Sequence, residues 1–219
     1  MSTSPLPPVA IVTGASRGLG AALARRLAEV LASLHGEGHQ AIAGDVTDAG
    51  HRAELLAAAG DHLDALVNNA SALGPSPQPA LADYPVDELR RVYEVNVVAP
   101  LALTAAAVPA LRASTRVGRI LNITSDAGAE AYEGWGGYGS SKAALEHASH
   151  VLAVEQPELR VYAVDPGDMR TQMHQEAFPG EDISDRAAPE QRVPGLLALI
   201  EGELPSGRYA ASALTESRA

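Results

Sequence analysis

Residues 9–20 read VAIVTGASRGLG: four apolar residues come first, a turn rich in glycine follows, and the helix-like AALARRLAEVLASL comes directly after it. Strand, glycine turn and helix in this order form a nucleotide-binding βα unit. Gly14 permits the tight turn, and Gly18 and Gly20 let the backbone approach a pyrophosphate. The N-terminus of the helix offers free amide groups and a favourable dipole. Glycines also mark ordinary loops, so the interpretation depends on the strand before them and the helix after them.

Beyond this unit, apolar runs alternate with helical patterns along the chain. The strand-like runs are residues 9–12, 40–46, 65–68, 119–124 and 161–164. This alternation predicts an α/β fold, a Rossmann-like, doubly wound parallel sheet flanked by helices on both faces. We interpret residues 1–219 as a single domain, because the length suffices for one α/β core and no repeat or linker divides it.

A possible acid–base pair lies in YGSSK, where Tyr138 and Lys142 are four residues apart. On a helix this spacing places the phenol and the ammonium on one face. A free phenol titrates near pH 10, and an adjacent positive charge lowers its pKa toward the range useful for proton transfer. Ser125 ends the apolar run RILNITS and could hydrogen-bond the same substrate oxygen. By itself the spacing describes a packed ring and a solvated amine equally well.

Together these motifs resemble those of the short-chain dehydrogenase/reductase family. TGASRGLG resembles its TGxxxGxG loop, and NNAS resembles its NNAG element with Ser71 replacing the last glycine. YGSSK resembles YxxxK, Asn96 falls at the fourth catalytic position, and Pro166 to Thr171 resembles PGxxxT. The resemblance covers residues 9–171 and continues more loosely to 209. It implies an NAD(P)-dependent oxidoreductase that interconverts a carbonyl and an alcohol group by hydride transfer.

The resemblance also implies roles for the matching residues. Tyr138 exchanges a proton with the substrate oxygen, Lys142 lowers the tyrosine pKa and binds the nicotinamide ribose, and Ser125 orients the reacting oxygen. Asn96 holds a water that links the lysine to solvent, and Ser71 is expected to leave the chemistry unchanged. The residues expected to contact the cofactor are Gly14, Ser16, Arg17, Gly18, Leu19, Gly20, Asp45, Val46, Asn69, Ala70, Tyr138, Lys142, Pro166, Gly167 and Thr171.

One departure from the family lies between the first helix and DVTD. Family members carry a second strand and part of a second helix there, whereas AALARRLAE here runs into VLASLHGEGHQAIAGDVTD without them. We therefore expect a sheet one strand short. In one arrangement, residues 40–46 move in beside the first strand and Asp45 becomes the ribose ligand. In the other, the sheet keeps a gap that damages the adenosine site, and Asp45 and Val46 flank the adenine. We favour closure, because a gap leaves backbone groups unpaired.

Arg17, inside the glycine loop, is the remaining indication of cofactor type. Its guanidinium could bind a 2′-phosphate, which slightly favours NADP over NAD. An exposed, solvated arginine is the alternative. The chain has no cysteine, and its seven histidines have no carboxylate partners at metal-ligand spacing, so we expect no metal site.

The charge and composition of the chain limit the classes of partner that we expect it to bind. A formal charge of −11 argues against nucleic-acid binding. No uninterrupted apolar run approaches the roughly 18 residues of a membrane span, and MSTSPLPP lacks the features of a signal peptide, so we predict a cytoplasmic protein that binds no membrane. By resemblance, the alanine-rich LALTAAAVPAL and KAALEHASHVLAV build a homodimer or homotetramer; packing on the sheet is the alternative. The remaining partner is a small carbonyl or alcohol substrate.

Two loops interrupt the alternation. Residues 73–85 contain four prolines and cannot form a continuous helix. Residues 172–189 correspond to a family region that closes over the substrate, so we predict a mobile lid, with a plain surface loop as the alternative. Tyr132 and Trp135 could form an apolar substrate wall or anchor a loop, and Asp126 could contact the substrate or cap a turn.

The competing function is a scaffold or sensor that binds a cofactor without turnover. The complete set of four catalytic residues argues against this function. The missing strand argues for it.

Overall fold

A computed structural model describes residues 7–35 and 39–216 of the chain. Five parallel strands form one sheet in the order β1-β2-β3-β4-β5. The strands are β1 (Ala10–Val12), β2 (Ala65–Asn68), β3 (Arg119–Ile123), β4 (Arg160–Asp165) and β5 (Gly207–Ala210). Because all five run in one direction, their carboxyl ends meet at one edge of the sheet, where ligands bind such folds.

Helices connect the strands and cover both faces of the sheet. They are α1 (Gly18–His35), α2 (Ala49–Ala59), α3 (Val86–Tyr93), α4 (Ala99–Arg112), α5 (Gly136–Glu155), α6 (Gln172–Ala177), α7 (Val193–Glu201) and α8 (Ala211–Glu216). Short 3-10 turns cover Leu81–Asp83, Asp126–Gly128 and Pro189–Arg192. The predicted fold class is confirmed, as is the expectation of a sheet one strand short.

The core has two halves, one on each face of the sheet. On one face α1 and α7 pack on the central strands, with Leu23, Tyr162 and Leu196 fully buried. On the other face α2 and α4 pack on β1 to β3 around Leu66 and Leu103. Each such side chain contributes about 1.5–3 kcal/mol when removed from water, so these layers hold the carboxyl edge of the sheet in place.

The predicted closure of the sheet by residues 40–46 is wrong. No described residue pairs with the outer edge of β1, and residues 39–46 belong to no ladder in the parts of the chain that the structure describes. The physical reason lies at the start of α2. Asp45 accepts hydrogen bonds from the Thr47 amide and hydroxyl, both at 2.9 Å, and Asp48 caps α2 through the His51 amide at 2.8 Å. These contacts tie the segment to α2 and away from β1.

Two other sequence expectations concern loops and strands. The 73–85 loop forms no continuous helix, as predicted, and contains only the Leu81–Asp83 turn. The strand β5 was missed, because its four residues GRYA show no alternation and include an arginine. Arg208 in this strand donates hydrogen bonds to Glu146 at 3.0 Å and to Asp165 at 3.2 Å. These two partners are 62 and 43 residues away in the sequence.

Val86 to Arg112 form one continuous helical run of 27 residues, in which a π turn at Glu94–Val98 joins α3 to α4. By length and composition alone this run is apolar enough to cross a membrane. Core helices of soluble proteins meet the same criterion. Here Leu103, Ala107 and Leu111 are buried against the sheet.

Candidate active site

Tyr138 lies in the first turn of α5, at the carboxyl edge of the sheet, and is 8% exposed. The helix approaches the turn after β3 closely, because a Cβ on Gly139 would lie 2.5 Å from the carbonyl oxygen of Ala127. Glycine at this position therefore brings the tyrosine next to the end of β3, where Ser125 lies. The edge of the Trp135 indole contacts the phenol ring, with 5.7 Å between ring centroids.

Lys142 follows one turn later on the same face of α5. Its side chain is 2% exposed, and Nζ donates to the carbonyl oxygen of Ile123 at 2.8 Å. The ammonium lies 5.4 Å from the centre of the Tyr138 ring. The four-residue spacing thus brings the pair together, and the solvated-amine alternative does not hold because the lysine is buried.

Ser125 stands at the end of β3 beside these two residues. Its hydroxyl donates to Asp126 Oδ1 at 2.9 Å and accepts from the Ala127 amide at 3.2 Å. Asp126 Oδ1 also accepts from the Ala127 amide, at 2.8 Å. Asp126 is therefore engaged in the local turn, in keeping with the capping interpretation.

Asn96 is completely buried inside the π turn, an irregularity often found at functional sites. Its Oδ1 accepts from the Ala72 amide at 2.7 Å and from the Ser71 hydroxyl at 3.1 Å. Its Nδ2 donates to the carbonyl oxygen of Ala72 and to the Ser141 hydroxyl, both at 2.9 Å. Asn96 therefore fixes the loop after β2 against α5. The predicted water between Asn96 and Lys142 stays a prediction.

Ser71 and Ser141 are two polar residues that the sequence interpretation missed or dismissed. Ser71 donates to Asn96 Oδ1 at 3.1 Å and lines the cavity beside Tyr138, whose pKa its hydroxyl lowers. Its expected neutrality for the chemistry stays a prediction. Ser141 joins Asn96 to the backbone carbonyl of Tyr138. The only sequence signal for Ser71 was its departure from NNAG.

The electrostatics of the pair differ from the expectation. Burial raises the pKa of Tyr138 far above its ordinary value, and the charges of Asp165 and Asp126 add to that effect. Hydrogen bonds from Ser71 and Ser125 act in the opposite direction. Burial also lowers the pKa of Lys142 to about 7. The lowering of the tyrosine pKa by Lys142 stays a prediction, and burial acts against it.

The glycine loop adopts the predicted turn. Gly14 and Gly18 have φ angles of 65° and 57°, a region that favours glycine, and α1 begins at Gly18. A Cβ on Gly20 would lie 2.4 Å from Asn69 Nδ2, so this glycine serves close packing of α1 on the loop. Asn69 Nδ2 donates to the carbonyl oxygens of Thr13 at 3.0 Å and Gly14 at 3.2 Å. Asn69 thereby locks the glycine loop to the loop after β2.

A cavity of about 710 Å³ joins the glycine loop to Tyr138 and Lys142, whereas Ser125 and Asn96 do not line it. This volume lies within the range of small-molecule and cofactor sites. Of the expected cofactor contacts, its walls include Gly14, Ser16, Arg17, Gly18, Leu19, Asp45, Val46, Asn69, Ala70, Tyr138, Lys142, Pro166 and Thr171. Gly20 and Gly167 do not line it; Gly167, with φ of 68°, forms the turn after β4.

The residues that line this cavity are chemically suited to bind a nicotinamide dinucleotide. A free helix N-terminus and side-chain-free glycines suit the pyrophosphate at one end. At the other end, the buried Thr124 Oγ1 has no hydrogen-bond partner in the described chain and lines the cavity beside Lys142. In the described residues, no three His, Asp or Glu side chains cluster as they do at a metal site.

The end of the cofactor cavity expected to hold the adenosine lies beside the open edge of β1. A second cavity of about 730 Å³ lies between β1 and residues 39–44, and Gly14, Ser16, Gly44 and Val46 line both cavities. Asp45 lies at the cofactor cavity, but its carboxylate already accepts the two hydrogen bonds from Thr47, which lower its pKa. The sheet therefore keeps the gap beside β1, which was the second alternative for the shortened segment.

An apolar cluster packs against Tyr138. Trp135 contacts Phe178, with 5.7 Å between ring centroids, and Leu73 and Met173 pack in the same cluster. Tyr132 is 45% exposed, and its hydroxyl donates to Asp126 at 3.2 Å. Trp135 therefore belongs to the wall, whereas Tyr132 anchors the loop.

Helix α6 lies over this wall. Ser76 donates to the carbonyl oxygen of Glu176 at 2.6 Å, and Arg17 Nη1 lies 4.0 Å from the Glu176 carboxylate. A backbone bridge between Met169 and Ala187 closes the base of the segment.

The sequence model of the short chain dehydrogenase family matches residues 8–182. The chain belongs to this family. It is 36% identical over 215 residues to L-xylo-3-hexulose reductase of Hypocrea jecorina, covering 78% of this chain and 69% of that protein. Benzil reductase of Saccharomyces cerevisiae is 30% identical over 215 residues, with 86% and 80% covered.

Solved structures show the same relationship. A short chain dehydrogenase of Shigella flexneri in complex with NADP superposes with a TM-score of 0.81 and 28% identity, covering 94% of this chain and 98% of that one. An oxidoreductase of Escherichia coli gives a TM-score of 0.82 and 29% identity, covering 94% and 96%. This short-chain dehydrogenase is an NAD(P)-dependent oxidoreductase of carbonyl and alcohol groups, as its motifs predicted.

Proposed function

We propose that this short-chain dehydrogenase reduces an apolar carbonyl compound and that Tyr138 is its proton donor. One observation carries the proposal. The buried phenol of Tyr138 lines the cavity that begins at the glycine loop, together with Lys142 and Ser71. A phenol in this position is suited to exchange a proton with a substrate oxygen. The relatives named above are reductases, which supports the reductive direction.

In this reaction the bound reduced cofactor supplies a hydride to the carbonyl carbon. Ser125 donates a hydrogen bond to the carbonyl oxygen and orients it. Tyr138 transfers its proton to that oxygen, so an O–H bond of the alcohol forms as the phenol O–H bond breaks. The resulting phenolate is stabilised by the Ser71 hydroxyl and by Lys142, and it regains a proton from solvent.

Lys142 serves this step because its charge is adjustable. Because burial lowers its pKa to about 7, the side chain can gain or lose a proton near neutral pH. A phenolate beside it attracts the proton and raises that fraction. We also propose that Lys142 binds the nicotinamide ribose. Asn96 positions Ser71 and Ser141.

The proposed cofactor is NADP in preference to NAD. Arg17 lines the cavity and is 56% exposed along its side chain, and its only carboxylate partner among the described residues is Glu176, at 4.0 Å. A guanidinium in this state is available to a 2′-phosphate. We expect Arg17→Gln to weaken NADPH binding about tenfold and to leave NADH binding unchanged, measured by nicotinamide fluorescence. Equal effects on both cofactors would contradict this role.

The substrate wall supports an apolar group next to the reacting carbonyl. Trp135, Phe178 and Met173 present aromatic and thioether surface at the position facing Tyr138. We further propose that α6 and the following residues to 189 act as a lid, because Glu176 joins both the glycine loop and the 73–85 loop.

The remaining assignments are proposals as well. We propose a cytoplasmic homodimer or homotetramer that binds neither nucleic acid nor membrane. Exposed valines of the alanine-rich α5 support an oligomer, since Val151 and Val154 are 42% and 81% exposed. The charge of −11 supports the absence of nucleic-acid binding.

Tyr138→Phe tests the function. The variant keeps the ring, so we expect unchanged NADPH binding and a loss of at least about 100-fold in turnover of a panel of aromatic ketones. Tyr132→Phe is the matched control, because that exposed hydroxyl lies outside the cofactor cavity. Lys142→Ala should lose both turnover and binding. Full activity of Tyr138→Phe would refute the mechanism, and binding without any turnover by the unaltered chain would favour the scaffold alternative.

A further inference from the structure

Arg208, in β5, binds two carboxylates at once. Its Nε donates to Glu146 Oε2 at 3.0 Å, and its Nη2 donates to Asp165 Oδ2 at 3.2 Å. Glu146 belongs to α5, and Asp165 is the last residue of β4. One guanidinium therefore joins β5 to the helix that carries the catalytic pair and to the carboxyl end of β4.

Asp165 links Arg208 to the turn that follows β4. While Oδ2 accepts from Arg208, Oδ1 accepts from the Gly167 amide at 2.8 Å. The turn begins with Pro166, which lines the cofactor cavity, and Gly167 holds it in a conformation with φ of 68°. Both oxygens of this carboxylate are thus used, one for the arginine and one for the turn.

Glu146 makes the corresponding link to α5. It follows Lys142 by four residues and Tyr138 by eight, a spacing that keeps the three side chains on one side of the helix. The helix packs on both β4 and β5. The bond from Arg208 to Glu146 therefore fixes α5 one turn beyond the lysine.

Burial makes the two carboxylates dependent on this arginine. Glu146 and Asp165 are 14% and 13% exposed along their side chains, and Arg208 is 33% exposed. In the described part of the chain, Arg208 is the only cationic side chain that forms an ion pair with either. Although burial lowers the pKa of Arg208, the two carboxylates raise it overall, so the guanidinium stays charged. Without it, two poorly hydrated carboxylates would lack a counter-charge.

The charge of Asp165 also acts on Tyr138. Burial raises the pKa of the phenol, and the carboxylates of Asp165 and of Asp126, in the turn after β3, raise it further. The cationic group nearby is Lys142 on α5, whose Nζ lies 5.4 Å from the ring centre. Because the guanidinium of Arg208 offsets the charge of Asp165, its removal would leave the phenolate near an uncompensated carboxylate.

We propose that Arg208 is a positioning residue of the reaction, which anchors the turn after β4 to α5 through Asp165 and Glu146 and shields Tyr138 from the charge of Asp165. Arg208 itself contacts neither substrate nor cofactor in this role. The inference rests on the proposed function of Tyr138. It assigns a task to a strand whose sequence gave no indication of one.

The pH dependence of alcohol oxidation tests the shielding. The substrates are the alcohols that correspond to the aromatic ketones named above, and on the acid limb of the profile the phenol must lose its proton. In Arg208→Gln we expect this limb to move to higher pH by about 0.5–1 unit, which is a three- to tenfold fall in kcat/KM at a fixed pH on the limb. Adding Asp165→Asn removes the opposing charge, so the limb of the double variant should return to within about 0.3 unit of its original position. Loss of a purely structural contact would not be reversed in this way.

Equilibrium binding of NADPH, followed by nicotinamide fluorescence, tests the anchoring without any substrate. Arg208→Gln should bind NADPH about three- to tenfold more weakly, because the turn that lines the cavity loses its support. Arg208→Lys keeps the charge but cannot bind both carboxylates with one planar fork. It should therefore keep the position of the acid limb and still bind NADPH more weakly. This variant also carries the test if Arg208→Gln does not fold.

Arg112→Gln is the matched control. Arg112 likewise donates to two side chains, Glu158 and Gln156, but these precede β4 and lie away from the cofactor cavity. We expect Arg112→Gln to leave both the acid limb and NADPH binding unchanged.

Three results would overturn the proposal: an unmoved limb in Arg208→Gln, a limb that stays displaced in the double variant, or NADPH binding by the Arg208 variants equal to that of Arg112→Gln. These results are distinct from failure of the proposed function, which full activity of Tyr138→Phe would show. An inactive Tyr138→Phe beside an unmoved limb in Arg208→Gln would reject the role of Arg208 alone.

Discussion

Lys142 is the only lysine of the chain, which makes its charge directly observable. Burial lowers its pKa from 10.5 to about 7 in the folded state. The unfolded chain therefore holds one proton more than the folded chain between about pH 7 and pH 10.5. Over that window the free energy of unfolding rises with pH, because the unfolded state binds more protons.

The magnitude follows from the two pKa values. Each pKa unit corresponds to about 1.4 kcal/mol, so the full window is worth about 5 kcal/mol as an upper bound, and the interval from pH 6 to pH 9 about 2–3 kcal/mol. Lys142→Met keeps the length of the side chain and removes the charge. We expect the variant to gain stability relative to the unaltered chain, and the gain to shrink by about 2–3 kcal/mol from pH 6 to pH 9.

Urea unfolding of both chains at pH 6, 7, 8 and 9 measures this difference, and all other titrating groups cancel because the two chains share them. An independent measurement uses ¹³C-labelled lysine, which gives one side-chain resonance in NMR. Its midpoint should lie near pH 7. A midpoint near pH 10.5, or a stability difference independent of pH, would refute the reasoning from burial.

Two further substitutions test the site and its support. Ser71→Gly removes a hydroxyl that lowers the Tyr138 pKa. The acid limb of the pH–rate profile for alcohol oxidation should therefore move to higher pH. At a fixed pH on that limb, we expect about a fivefold fall in kcat/KM with unchanged NADP affinity; an unmoved limb would remove Ser71 from the site. Gly20→Ala places a Cβ 2.4 Å from Asn69 Nδ2 and 2.5 Å from the Gly14 oxygen, and should cost about 1–3 kcal/mol in urea unfolding. Gly207→Ala is its control, since the nearest atom there lies at 3.7 Å, and equal losses would contradict the packing account.

Local sequence patterns determined much of the fold. Short apolar runs separated by helical patterns predicted four of the five strands, because side-chain periodicity follows directly from backbone geometry. The glycine loop and the Tyr138–Lys142 spacing are local in the same sense. Each places groups by the geometry of one turn or one helix, so their positions could be read from neighbouring residues.

Tertiary structure decided the rest. The contacts of Asn96 with Ser71 and Ser141 span 25 and 45 residues, so no local pattern showed that these serines complete the site. Residues 40–46 look like a strand, yet strand pairing is a contact with another segment, and the turn at Asp45 and the cap at Asp48 hold them on α2. The pKa values of Tyr138 and Lys142 likewise depend on burial by the whole fold. The sequence by itself determined the family, the parallel sheet and the residues able to carry the chemistry. Only the tertiary structure decided which of them meet, which charges they carry and that the sheet stays open beside β1, because burial and long-range pairing exist only once the chain has folded.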